Sequence, residues 1–176
     1  MKDIVKPIVV LACICLVVTA VLAYVNTMTA PIIQAAEEKA ASEARAEVLT
    51  EANGQFEKLD VKGLPEGVTE VFKGGNDTGY VIMMQSKGYG GDIKLICGIR
   101  PDGSMEKVKT LSHSETSGIG SKVADNQSGY AENYTNKTAA DYESVDAVSG
   151  ATISSKAYKK AVGLAFEAFE KIKGAA

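Results

Sequence analysis

The spacing of apolar and polar positions divides the chain into stretches of different period. Residues 7–36 carry no charged side chain, and residues 7–25 are almost wholly apolar, close to the roughly 20 residues that a bilayer-spanning helix needs. Residues 31–50 are rich in Ala, Glu, Lys and Arg, with Ile33, Ala36, Ala40, Ala44 and Val48 at near-helical spacing. That thin apolar stripe predicts an exposed helix lying against its own domain, with Asn53-Gly54 as its stop. Beyond Leu64-Pro65-Glu66-Gly67 the signals change to strands, over residues 68–72 and 80–86, flanking the turn-rich residues 74–79. Ile93, Leu95, Cys97 and Ile99 then alternate with Lys94, Ile96, Gly98 and Arg100, the two-residue period of a strand with one buried face. Pro101-Asp102-Gly103 supplies turn chemistry, and residues 105–112 return as the hairpin partner, alternating too poorly to set a register. After a polar stretch over residues 124–142, the last helix places Tyr158, Val162, Ala165, Phe169 and Ile172 on one stripe and Lys156, Lys159, Lys160 and Lys171 elsewhere. Such a helix packs on a sheet. Adjacent strands with short links give an α+β fold, an antiparallel sheet with flanking helices, preceded by one N-terminal transmembrane helix. The expected divisions are an anchor at 1–29, a helical stalk at 30–56 and a globular domain at 57–176.

Charge gives the anchor a direction. Lys2 and Lys6 precede the apolar run and acidic residues follow from Glu37, which predicts a cytoplasmic N-terminus and an extracytoplasmic domain on a single-pass protein of the cytoplasmic membrane. Val21-Leu22-Ala23 resembles a signal-peptide cleavage site. The meagre charged region before the run, and apolar character continuing past that site, favour a retained anchor. Val10-Leu11-Ala12-Cys13 has too few apolar residues before it for a lipoprotein signal. Formal net charge is −3 at pH 7, and the N-terminal charges are net basic, so the exported part is more acidic still and a poor nucleic-acid binder. Cys13 and Cys15 fall within the span and Cys97 is alone in a strand, which excludes a disulfide framework. His113 is the single histidine, so no His-rich metal site is expected.

Candidate chemistry centres on residues 146–155, Asp-Ala-Val-Ser-Gly-Ala-Thr-Ile-Ser-Ser, just ahead of the last helix. Ser, Thr and Asp before an amphipathic run are ordinary N-cap residues, and Gly150 suits a turn. The same run also suits a phosphate: small side chains leave the approach open, and a helix start offers unpaired N–H groups with the positive end of the macrodipole. Two glycine-bearing loops stand upstream. Gly88-Tyr89-Gly90-Gly91 leaves room for a planar ligand and offers a ring from Tyr89. His113-Ser114-Glu115-Thr116-Ser117-Gly118-Ile119-Gly120 is polar. The dinucleotide fingerprint fails at Val123, and no Gly-x-Ser-x-Gly elbow marks a serine hydrolase.

Asp146 to Thr152 resembles the flavinylation motif Asp-x-x-Ser/Thr-Gly-Ala-Thr of the FMN-binding domain family. The loop at 88–91 resembles that family's Gly-Tyr-Gly-Gly segment, and the loop at 113–120 its His-x-Glu-Thr-Pro-Gly-Leu-Gly segment, with Ser117 in place of Pro. The resemblance implies that a dedicated flavin transferase joins FMN by a phosphodiester to Thr152, with Asp146, Ser149, Gly150 and Ala151 around the attachment point. It implies further cofactor contacts from Tyr89, Gly90, Gly91 and Lys122. Thr116, Gly118 and Gly120 would shape the flavin pocket, and His113 or Glu115 would polarise its polar edge. A single span, a short stalk and one flavin domain look like the G subunit of Rnf, the membrane ferredoxin:NAD oxidoreductase coupled to ion translocation; the related C subunit of the sodium-pumping quinone reductase is usually longer. That likeness implies an electron relay among other membrane subunits rather than an enzyme by itself. Two other classes stay open: a stand-alone extracytoplasmic flavoprotein reductase, marked by turnover of the isolated domain, and a non-redox flavin sensor or scaffold, marked by electron transfer that persists without flavin.

Overall fold

The structure is a computed structural model that describes residues 2–175, with side-chain environments for residues 5–174. The chain divides into two compact units at the Ala40/Ala41 boundary. Helix α1 (Lys2–Val48) makes up the first unit and enters the second with its last eight residues, carrying the apolar run through Pro7 and on through Pro31 without a break. Leu11, Leu16 and Leu22 are each more than 60% exposed, a surface that water disfavours and lipid accepts. By length and composition α1 can cross a bilayer.

The second unit is built on a five-stranded antiparallel meander in sequential order: β1 (Phe56–Leu59), β2 (Val68–Gly74), β3 (Tyr80–Lys87), β4 (Asp92–Ile99) and β5 (Met105–Ser112). β1 is an addition to the strands expected from the sequence. The long final helix is α3 (Thr152–Ala175), and a four-residue helix, α2 (Ser121–Ala124), follows the 113–120 loop. One sheet face buries Ile82, Met84, Leu95, Cys97 and Val108 against Tyr158, Val162, Ala165 and Phe169 of α3. Each fully buried Ile, Leu, Met, Val or Phe among them contributes about 1.5–3 kcal/mol of transfer free energy.

β4 differs from the expectation of one buried face. Ile96 and Gly98 are covered too, because the end of α1 turns down onto the sheet, and Ala44, Val48, Leu49 and Ala52 form a second cluster with Phe72, Val81 and Ile96. The helix stops at Val48, ahead of the expected Asn53-Gly54; a 3-10 turn (Thr50–Ala52) intervenes, and Asn53 ends it in the left-handed region at φ 49°. The poor alternation of β5 has a geometric cause. Register shifts in its pairing with β4 bring Met105 opposite Ile99 while Lys107 pairs with Gly98. The residue absorbed, Glu106, lets Met105 and Val108 share the buried face despite their odd spacing.

Burial pushes the Cys97 thiol and the Tyr158 phenol up from their ordinary ranges. A thiol reagent at neutral pH should therefore leave Cys97 unmodified in a Cys13→Ala, Cys15→Ala chain and modify it after denaturation, read by mass. Gly98 is where helix end and sheet meet: a Cβ there would lie 2.7 Å from the Val48 carbonyl carbon and 3.2 Å from Leu49 Cβ. Gly98→Ala should destabilise the folded unit by about 1–3 kcal/mol through overpacking, measured as a lowered thermal midpoint.

Candidate functional site

Three chain segments converge at the start of α3. The loop ahead of it is a turn closed by the Ala151 N–H donating to the Val148 carbonyl at 3.0 Å, with Gly150 in the left-handed region at φ 81°, where a glycine meets no penalty. Ser155 fastens this turn to the helix: its hydroxyl accepts the Val148 N–H and donates to the Ala151 carbonyl, both at 3.0 Å. Further back, the buried Tyr130 donates its phenolic O–H to the Asp146 carbonyl at 3.2 Å. Tyr130 itself meets Tyr158 of α3 edge to face at a 5.5 Å centroid separation. Anchored at both ends, Thr152 is the exposed first residue of the helix. The first amide of this turn to find a backbone acceptor is that of Ser155, on the Ala151 carbonyl at 2.9 Å. The N–H groups of Thr152, Ile153 and Ser154 thus remain for an incoming anion.

In front of this turn lies a cavity of about 390 Å³, lined by Tyr89, Glu115, Thr116, Ile119, Gly120, Gly150, Ala151, Thr152, Ile153 and Ser154, within the usual size for a small-molecule site. Its rim is unusual. Tyr89, Ile119 and Ile153 are 72%, 52% and 54% exposed, and every other large apolar side chain of comparable exposure among the described residues belongs to α1. An apolar rim beside a helix N-terminus suits a ligand with a flat aromatic body and an anionic end.

The structure brings Tyr89, Glu115, Thr116, Gly120, Gly150, Ala151 and Thr152 of the expected residues to one place. Gly90 is exposed and not among the lining residues; its N–H donates to Glu115 Oε1 at 3.0 Å. Gly91 closes the same loop, its carbonyl accepting the Gly88 N–H at 2.8 Å. Gly118 serves the second loop at φ 76°, its N–H donating to the Ser121 hydroxyl at 2.9 Å. His113 does not line the cavity: its Nδ1 accepts the Glu115 N–H at 3.2 Å and its Nε2 meets Asp125 at 3.1 Å, so the ring shapes its own loop. Lys122 is exposed on α2 and Ser149 is exposed within the Val148–Ala151 turn, neither among the lining residues. Asp146 borders a different hollow of about 430 Å³, with Tyr130, Asn133 and Lys137. Ile119, Ile153 and Ser154 were not assigned from the sequence. Ile153 and Ser154 belong to the same helix turn as Thr152, and that geometry was the available signal.

The buried Glu115 joins these segments, Oε1 accepting from Gly90 and Oε2 from the Ser154 hydroxyl. Gly120 makes room for the pair, since a Cβ there would lie 2.8 Å from Glu115 Cβ and 2.9 Å from Ser154 Oγ.

Fold and site together define a small α+β flavin-binding domain behind an apolar N-terminal helix, and residues 88–167 match the model of the FMN-binding domain while residues 1–48 match that of the RnfG N-terminal region. The G subunit of the ion-translocating oxidoreductase complex of Methanosarcina acetivorans is 33% identical over 89% of this chain and 89% of its own. The chain belongs to this family of G subunits. The G subunit of the Na(+)-translocating ferredoxin:NAD(+) oxidoreductase complex of Acetobacterium woodii is 26% identical over 86% of this chain and 84% of its own. The G subunit of the proton-translocating ferredoxin:NAD(+) oxidoreductase complex of Clostridium ljungdahlii is 34% identical over 54% of this chain, a match that spans only 55% of that relative's length. Among solved structures, Shewanella oneidensis NqrC shares the fold with a TM-score of 0.50 and 22% identity, over 67% of this chain and 75% of its own.

Truncating Glu115 leaves two donors facing a hole. Glu115→Ala should lower stability by about 1–3 kcal/mol from the unsatisfied groups alone, seen as a reduced midpoint in thermal unfolding.

Proposed function

We propose that the chain carries FMN as a phosphodiester of Thr152 and serves as an electron-relay subunit of an Rnf-type membrane complex. The observation that carries this reading is the convergence on one cavity of an exposed hydroxyl at Thr152, the free amides of its helix turn and the apolar rim of Tyr89, Ile119 and Ile153. The residues present fit the group: the amides and helix dipole offset the single charge that a diester keeps, and the rim can hold a flat ring. In the attachment step the Thr152 oxygen bonds to the FMN phosphorus of FAD, the bond to AMP breaks, and the hydroxyl proton leaves with a base of the transferase. Once bound, a flavin takes and gives one or two electrons, which suits a relay between single-electron centres. The protein's part is placement. Gly150 and Ala151 keep the hydroxyl open to the transferase, and Glu115 holds the glycine loop against the helix.

A covalent tether keeps the local flavin concentration high where lost cofactor cannot easily be regained. In this reading residues 1–29 anchor the chain with its N-terminus in the cytoplasm, residues 30–56 lead away from the bilayer, and residues 57–176 hold the flavin outside the cytoplasm. The partners are other membrane subunits of the complex, whose names in the relatives point to ion translocation, and the flavin transferase during maturation.

Thr152→Val keeps the shape of the helix start and removes the nucleophile. It should abolish the flavin-fluorescent band on a denaturing gel while thermal unfolding stays cooperative, and Thr152→Ser should restore the band. A fluorescent band from the valine variant would refute the attachment site.

A further inference from the structure

Glu115 is 8% exposed yet lines the cavity. Oε1 accepts the Gly90 N–H at 3.0 Å and Oε2 accepts the Ser154 hydroxyl, so each oxygen is matched to its own partner. None of the ion pairs among the described residues outside α1 involves it. Its neighbour His113 presents a ring lone pair to the Glu115 N–H and turns its other nitrogen to Asp125. Two glycines crowd the carboxylate: a Cβ at Gly88 would lie 3.0 Å from Glu115 Cδ, and one at Gly120 2.8 Å from Glu115 Cβ. A buried charge is costly, and a neutral Gln could brace the same loop by accepting the same Gly90 N–H. The charge therefore exceeds what a strut requires.

We propose that Glu115 is a positioning residue that also tunes the cofactor, a fixed negative charge in the cavity wall that makes the bound flavin harder to reduce. This rests on the flavin reading above. Two electrons and one proton taken up by the ring leave it with one more negative charge, and a like charge in a weakly screened wall opposes that gain. The Ser154 hydroxyl offsets part of the charge by donating to it.

The test is a redox titration with dithionite and mediators of the full-length chain, produced with a flavin transferase and held in detergent. Glu115→Gln should raise the flavin midpoint potential, by on the order of tenfold in the ratio of reduced to oxidised flavin at fixed ambient potential. Ser154→Ala, which keeps the charge and removes a donor that screens it, should lower the potential. A strut without electrostatic influence would leave both unchanged or move them the same way. An unchanged or lowered potential in Glu115→Gln, or one not lowered in Ser154→Ala, overturns the inference; if Glu115→Gln takes up no flavin, the sign of the Ser154→Ala shift decides alone. Wild-type protein without flavin overturns the flavin reading and this inference together, whereas loaded wild type with no upward shift in Glu115→Gln overturns this inference only.

Discussion

Tyr158, Val162, Ala165 and Phe169 of α3 bury themselves against the inner face of the sheet, and that contact decides where the helix begins. The hydrophobic term is non-directional by itself, so the helix gains a defined position only because these side chains fill the space between particular strands. Its N-terminus is thereby held beside the loops at 88–91 and 113–120. Glu115 ties the two sides together from the middle, taking one donor from the glycine loop and one from the helix. Cavity, amides and hydroxyl all follow from that placement.

The other sheet face follows a different logic. The end of α1, through Ala44 and Val48, and the adjoining Leu49 lie on it, and β4 is covered on both sides as a result. Polar contacts secure the same junction, with Lys107 donating to Glu47 at 2.6 Å and the Thr50 hydroxyl to Glu106 at 2.7 Å. Those exposed contacts contribute little individually; the apolar cluster supplies most of the hold.

Much of the fold was legible because period and burial coincide. β3 and β5 fall within a residue of the stretches expected as strands between turn signals, and the apolar stripe of α3 is the buried one. Where the sequence misled, a tertiary contact had overridden the local pattern. Ile96 and Gly98 looked like positions on an open face, and only the return of α1 onto the sheet buries them. β1 pairs at the sheet edge with half-exposed and exposed side chains, so no alternation announced it. In the site, Tyr89, Glu115, Thr116, Gly120 and Thr152 were legible as short motifs, whereas Ile119 and Ile153 became rim residues only once the three segments were assembled. His113 shows the reverse case: a residue type rich in chemistry, occupied instead with Asp125 and its own loop.

Family membership, an apolar helix able to cross a bilayer and an open cavity at a helix start are the observations on which the proposed relay rests. The most direct measurement is the mass of the peptide containing Thr152, taken from denatured protein made in cells with an active flavin transferase. The account predicts that peptide heavier by FMN less one water, with the added mass on the threonine. An unmodified Thr152 peptide from such cells would contradict it.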